Sequence, residues 1–370
     1  MSLPRNGSAR GAGRTSQAST NGHAARHRTL GVAIIGAGYW GPNLLRNFFS
    51  SERWTVEALV DVDEKRLTKP RRLYPGLRTF TDFEAVLNDE RVDAVAVATP
   101  IESHYAIARA ALEAGKHVLI EKPMCALSSE AQHLCAMADE RGLVLMVDHT
   151  YLYTGAVRYL KQLVASQQLG RVFYMDAVRV NLGLFHPRYD VIFDLAPHDV
   201  SIMNYLMDAQ PIEVAAVASY GVSAERADVA YLTLKYPSGI LGHAHLSWLS
   251  PAKVRRLMIS GTHRMAIWDD TEASEKVKVF DSGVDVSPDP ESRYERLISY
   301  RTGDMIAPAI SRTEALSQVV AAFWDSIVSH VPSPSTGYDG LAVLRVIEAA
   351  EQSLRANGAF VHIAGEANVS

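Results

Sequence analysis

From residue 30 to residue 149, short apolar runs alternate with stretches of helical periodicity, and this alternation leaves few folds open. The runs at 30–38, VEALVDV at 56–62, DAVAVATP, HVLIEKP and LVLMVDHT have strand length and are rich in β-branched or small residues. Between them lie a helix entered at Pro42, a charged helix from Asp63, and TDFEAVLND, in which Thr81 and Glu84 have capping-box spacing. Two more helices follow, HYAIARAALEAG closed by Gly115 and SSEAQHLCAMADERG closed by Gly142. Strands separated by helices predict a parallel, doubly wound α/β sheet.

The turn after the first strand is Gly36-Ala37-Gly38-Tyr39-Trp40-Gly41, a GxGxxG match. Alone it is weak, but it follows an apolar strand and opens a helix. Bare backbone can there approach a pyrophosphate whose charge rests on the helix N-terminus. Asp61 stands twenty residues after Gly41 at the end of the second strand, where a carboxylate accepts from ribose hydroxyls and repels a 2′-phosphate. The expectation is a Rossmann domain at 29–149 that holds NAD in preference to NADP. Thr99, Pro100 and His104, after the DAVAVA strand, and Glu121-Lys122-Pro123, closing HVLIE, also sit at strand ends and join the candidate cofactor contacts.

From about residue 150 the texture changes. One helix is expected at 155–168, then VFYMDAVRVNL, IEVAAVAS, VAYLTLKY, ILGHAHLSW, VRRLMIS and MAIWDD as strands of an open, mixed and mostly antiparallel sheet. Pro237 and Gly239 mark a hairpin turn. Helices at about 194–207, 313–330 and 338–356 complete an α+β domain over 150–365, and 281–309, with Pro288, Pro290 and Pro308, reads as a long loop.

Asp194 and His198, four apart at the head of a helix with Pro197 between them, share one face, so the carboxylate can orient the imidazole. His198 is the candidate base for a hydroxyl proton, Lys122 the group that steadies the same oxygen, and Asp194 the orienter of His198. A helix cap beside a satisfied histidine fits the pair equally well. His186, Asp194, His198 and Asp199 lie close enough in sequence to suggest a metal, but no cysteine or HExxH spacing supports one, and no metal is expected.

Charge and cysteines exclude other classes. The net charge of −4 includes five arginines and no acid in residues 1–28, and removing those leaves −9 for the body. An acidic body is a poor nucleic-acid partner. Residues 1–28, rich in Ser, Gly and Ala, are expected to be a disordered tail, with a transit peptide as the alternative. No apolar stretch approaches the ~20 residues that cross a bilayer. Two cysteines, Cys125 and Cys135, are no disulfide framework and point to a reducing cytoplasm.

Together, the glycine turn, Glu121-Lys122-Pro123 and the Asp194/His198 helix resemble the Gfo/Idh/MocA family of sugar and cyclitol oxidoreductases over residues 30–360. That resemblance implies a lysine–histidine catalytic pair and a homodimer or homotetramer built on the open sheet face. GYWGPNLLRNF, HTYLY, RVNLGLF, FDLAPHDVSI, SWLSPAKVR and YRTGD are similar to the branch that oxidises C3 of UDP-N-acetylglucosamine or its uronic acid. It implies substrate contacts from Tyr153 and His198, and from Arg179 and Asn181 to the sugar or diphosphate. Asp148 departs from the glycine usual before the HT pair, and Thr154 from the asparagine usual after Tyr153. A deoxysugar-nucleotide ketoreductase, a dehydrogenase of a free sugar, sugar phosphate or inositol, and a non-catalytic NAD(P) sensor remain alternatives.

Overall fold

The computed structural model describes residues 29–183, 185, 188–286 and 298–364. The tail over 1–28 and His186 therefore lie outside the described residues. The first unit contains β1 (Leu30–Ile35), α1 (Gly41–Phe49), β2 (Trp54–Val60), α2 (Glu64–Leu73), β3 (Arg78–Phe80) and α3 (Glu84–Leu87). It continues with β4 (Ala94–Val97), α4 (His104–Glu113), β5 (His117–Glu121), α5 (Ser128–Glu140) and β6 (Leu145–Asp148). The strands form one parallel sheet in the order β3-β2-β1-β4-β5-β6. β1 and β4 are buried along their whole length, as continuous apolar strands covered by helices on both faces must be. Two local expectations fail here. β3, three residues long, has too little pattern to be read from sequence, and Thr81 caps nothing, because Asp82 accepts the Glu84 N–H instead.

The second unit runs through α6 (Gly155–Ala165), β7 (Val172–Leu182), α7 (Val191–Met207), β8 (Glu213–Ser219), β9 (Val229–Lys235) and β10 (Leu241–Ser247). Then follow β11 (Leu249–Gly261), β12 (Met265–Asp269), β13 (Val277–Val286), β14 (Ile298–Ile306), α8 (Ala315–Val328), α9 (Gly337–Arg355) and β15 (Val361–His362). Its nine-stranded sheet has the order β14-β13-β12-β11-β7-β10-β9-β8-β15, and only the β7–β10 pair is parallel. The stretch read as one long loop is corrected: β13 and β14 pair antiparallel across 281–306 and extend the sheet edge. Polar residues and prolines between the strands hid them. The hairpin turn between β9 and β10 has positive φ at both Ser238 and Gly239.

α7 and α9 pack on one face of this sheet. The other face is open and carries Tyr174, Val217, Tyr231 and Leu241, all exposed. After the second sheet the chain returns to the first unit. Trp54 stacks on Phe323 of α8 at 5.3 Å, and its indole N–H donates to the Val320 carbonyl at 3.1 Å.

Candidate active site

The glycine turn is shaped by the close approach of three backbone segments. Gly36 has φ +107°, and a Cβ there would lie 2.4 Å from the Ala98 carbonyl oxygen; one on Gly41 would lie 1.9 Å from that of Gly36. Gly38 is different, because its Cβ would meet only the far end of Arg66 at 3.8 Å. That side of the turn is open. The N-cap of α1, Trp40, makes no side-chain cap; Pro42 has no N–H and the Asn43 N–H donates to the Trp40 carbonyl at 2.9 Å, so the Gly41 amide is the first-turn donor left for an anion. Asp61 is buried just past β2 and accepts from the Ala37 and Asp63 N–H groups, both at 2.8 Å. These features fit the pyrophosphate and adenosine ribose of a dinucleotide. Tyr39 is 91% exposed at the rim.

His104 does not face the crevice, contrary to its expected role. It is buried, with Nε2 2.9 Å from the Thr99 carbonyl and Nδ1 3.1 Å from that of Pro123, and so clamps the β4 and β5 exits together. Burial pushes its pKa down. Thr99 and Pro100 line the exit it fixes, and the Lys122–Pro123 peptide is cis.

At the end of β5, Lys122 donates to the Asp194 carbonyl at 2.9 Å and to its Oδ1 at 3.4 Å. α7 starts at Val191, capped by Asp190, which puts Pro197 in the second turn rather than the first. A proline there leaves the Phe193 carbonyl without its helical donor, and the next carbonyl, that of Asp194, accepts from Lys122. Asp194 Oδ2 accepts the Trp248 indole N–H at 3.2 Å. Its expected role as orienter of His198 is thus corrected: both oxygens serve Lys122 and Trp248, whose chain-distant positions the i,i+4 spacing could not reveal.

His198 lies one turn further along the same helix face, partly open, with its Nδ1 buried and without a partner among the described residues. Burial, then the positive charges of Lys122 and Arg179, push its pKa well below the usual value. The imidazole is neutral and can take a proton. Tyr151 meets it edge-on at 5.1 Å, with the Arg179 guanidinium 4.6 Å and that of Arg255 6.0 Å from the same ring. Of the tyrosines of HTYLY it is Tyr151, not the expected Tyr153, that meets His198. Tyr153 is buried, and its hydroxyl is within 2.7 Å of both the Ser333 and Ser335 hydroxyls.

Arg179 is likewise not free to reach a diphosphate. It is 3% exposed and pairs bidentately with Asp199, at 2.9 and 2.8 Å. Asn181, half-buried two residues on, lies on the same strand face nearer the end of β7. His149, buried with neither ring nitrogen partnered among the described residues, is held neutral by burial, its pKa pulled down to about 3. Glu121 pairs in register with Asp148 across β5 and β6. The thiols are packed, and burial raises that of Cys135 to about 12.

Two family models match: an oxidoreductase family with an NAD-binding Rossmann fold over residues 30–149, and the GFO/IDH/MocA C-terminal domain over 157–267. The chain belongs to the Gfo/Idh/MocA family. It is therefore an NAD(P)-dependent oxidoreductase acting on CH–OH groups. It is 30% identical to UDP-N-acetylglucosamine 3-dehydrogenase of Acidithiobacillus ferrooxidans, over 89% of this chain and 98% of that one. The solved structure of that relative superposes with a TM-score of 0.73 at 26% identity, over 89% and 98% of the two chains. A scyllo-inositol 2-dehydrogenase (NADP(+)) of Bacillus subtilis is 26% identical over 88% of this chain and 92% of its own. No described helix is long and apolar enough to cross a membrane.

Proposed function

We propose that this enzyme moves a hydride between NAD and a secondary alcohol of a nucleotide-linked sugar, C3 of a UDP-linked N-acetylhexosamine or its uronic acid. The observation that carries the reading is that Lys122 is held against the helix that carries His198. The Lys122 ammonium is anchored on Asp194, and a neutral imidazole stands one turn further along α7. The nicotinamide, when bound, supplies the acceptor or donor of hydride. Lys122 holds the substrate oxygen and stabilises the negative charge that grows there as its proton leaves, and His198 takes that proton. Reduction runs the same transfers in reverse.

The choice of sugar rests on the similarity to the A. ferrooxidans dehydrogenase along nearly the whole of both chains. The choice of NAD rests on Asp61, whose carboxylate would face a 2′-phosphate, with Arg66 only 3.6 Å from it as a partial counterweight. The exposed aromatic and aliphatic face of the second sheet favours a homodimer or homotetramer.

The test is absorbance of reduced nicotinamide on mixing enzyme and NAD with UDP-N-acetylglucosamine, its uronic acid, free sugars and inositols. The reading expects a rise with the UDP-sugars that Lys122→Ala abolishes. A rise with free sugars or inositols alone would refute the nucleotide-sugar assignment.

A further inference from the structure

The carboxyl ends of β5 and β6 place two acids side by side in the floor of the crevice. Glu121 and Asp148 are register partners on adjacent parallel strands, and their side chains come within hydrogen-bonding reach of each other. Asp148 is 1% exposed and has two further donors: the Thr150 hydroxyl at 2.8 Å to Oδ1 and the Trp40 indole N–H at 3.3 Å to Oδ2. It thereby ties the glycine turn, through Trp40, to the end of β6, the neighbour of the strand that leads into Lys122. Glu121 is served worse. Its Oε2 accepts the Lys122 backbone N–H at 3.3 Å, while its Oε1 is buried without a partner among the described residues.

Two ionised carboxylates here would be acceptors facing one another with no donor between them. A proton on Glu121 supplies the missing donor and removes a like-charge repulsion from a buried site. Asp148, with two neutral donors already on it, is the member better able to keep the charge. Burial first, and then the neighbouring Asp148 charge, push Glu121 well above the ordinary carboxylate range. The other titratable groups around the pair are the Lys122 ammonium, turned toward Asp194, the neutral His149 and the buried Tyr153 phenol.

We propose that Glu121 and Asp148 hold one proton between them, and that the single negative charge this leaves in the crevice floor makes the site prefer the oxidised, cationic nicotinamide to the reduced, neutral one. The proposal rests on the function proposed above, in which Lys122 acts at the carbon that exchanges hydride with the nicotinamide. A full charge roughly 12 Å away at an effective dielectric of about 20 is worth about tenfold in relative affinity, and more if closer. Reduced cofactor is then held less tightly than oxidised cofactor and leaves after each turnover.

The experiment measures dissociation constants of the full-length protein for NAD+ and NADH, by calorimetry and nicotinamide fluorescence, without any sugar. Glu121→Gln exchanges a neutral acid for a neutral amide, so the NADH/NAD+ ratio of dissociation constants should stay within about twofold of wild type, even if both affinities weaken. The double variant Glu121→Gln/Asp148→Asn removes the charge and should lower that ratio about tenfold, or about 1.4 kcal/mol. The idea fails if Glu121→Gln alone lowers the ratio about tenfold: a further fall in the double variant would mean that both groups are ionised in the wild type, and no further fall that the charge resides on Glu121. It fails equally if the double variant leaves the ratio unchanged. If the double variant does not fold, infrared spectroscopy decides: a carboxylic-acid C=O band present at neutral pH in wild type and lost in Glu121→Gln supports the shared proton, and its absence from wild type overturns it. Loss of all binding of both cofactor forms in the wild type would instead sink the NAD reading.

Discussion

Replacing Asp199 by Asn leaves the Arg179 guanidinium buried without its counter-charge, and the structure sets the size of the penalty. Their side chains are 4% and 6% exposed, and the two hydrogen bonds are 2.9 and 2.8 Å. Water cannot replace the lost carboxylate, so the discount that applies to exposed pairs does not apply. Removing one partner of a buried pair costs about 3–5 kcal/mol. At roughly 2–4 °C per kcal/mol for units of this size, the melting temperature should fall by about 10 °C. The guanidinium also stands 4.6 Å from the Tyr151 ring that meets His198, so turnover should fall with stability. Differential scanning calorimetry compares wild type, Asp199→Asn, Arg179→Met and the double variant Arg179→Met/Asp199→Leu. The single Asp199→Asn should be the least stable, and the apolar double variant should recover most of the loss. A single-variant loss below about 1 kcal/mol would refute the argument that this pair is dry and mutually dependent.

Asp194→Asn keeps the backbone carbonyl that holds Lys122 and never touched His198, so kcat should drop about tenfold, far short of the ~10⁴ that follows when the acid orienting a catalytic histidine is lost. Steady-state kinetics decides, and a 10⁴-fold loss would restore Asp194 as the partner of His198. The His149 pKa is depressed to about 3 in the fold against an unfolded value near 6.5, so its contribution to stability is present above that value and is lost as pH falls below it. Between pH 7.5 and 5.5 this loss is about 1.4 kcal/mol, and urea titrations of His149→Asn should show an acid decline smaller by that amount. Asp61→Ala removes the carboxylate beside Arg66, and the preference for NAD over NADP in kcat/KM should fall at least about tenfold; an unchanged ratio would mean that specificity lies elsewhere.

The first unit was legible because its signals are local. β1, the glycine turn, α1 and Asp61 lie within thirty-two consecutive residues, and each confirms the others. Lys122 was legible for the same reason, as the residue that ends β5. The errors arose where a local pattern competed with a partner distant in sequence. The spacing of Asp194 and His198 suggested a pair, but Lys122 and Trp248 claimed the carboxylate from 72 and 54 residues away. His104 and Tyr153 looked like polar groups near a site, yet Pro123 and the Ser333/Ser335 pair satisfy them. Tyr151 had no signal beyond its place in HTYLY, because only the turn at 150–153 decides which tyrosine meets His198. Asp148 stood out as a departure from glycine, but its pairing with Glu121 requires the β5–β6 register.

The most direct test of the central claim follows the hydrogen itself. UDP-N-acetylglucosamine and its uronic acid, each deuterated at C3, are incubated with the enzyme and NAD, and the reduced cofactor is analysed by mass spectrometry. The account predicts NADH one mass unit heavier than with unlabelled sugar, and no labelled cofactor with Lys122→Ala. Reduced cofactor without the label would place the oxidised carbon elsewhere and contradict it.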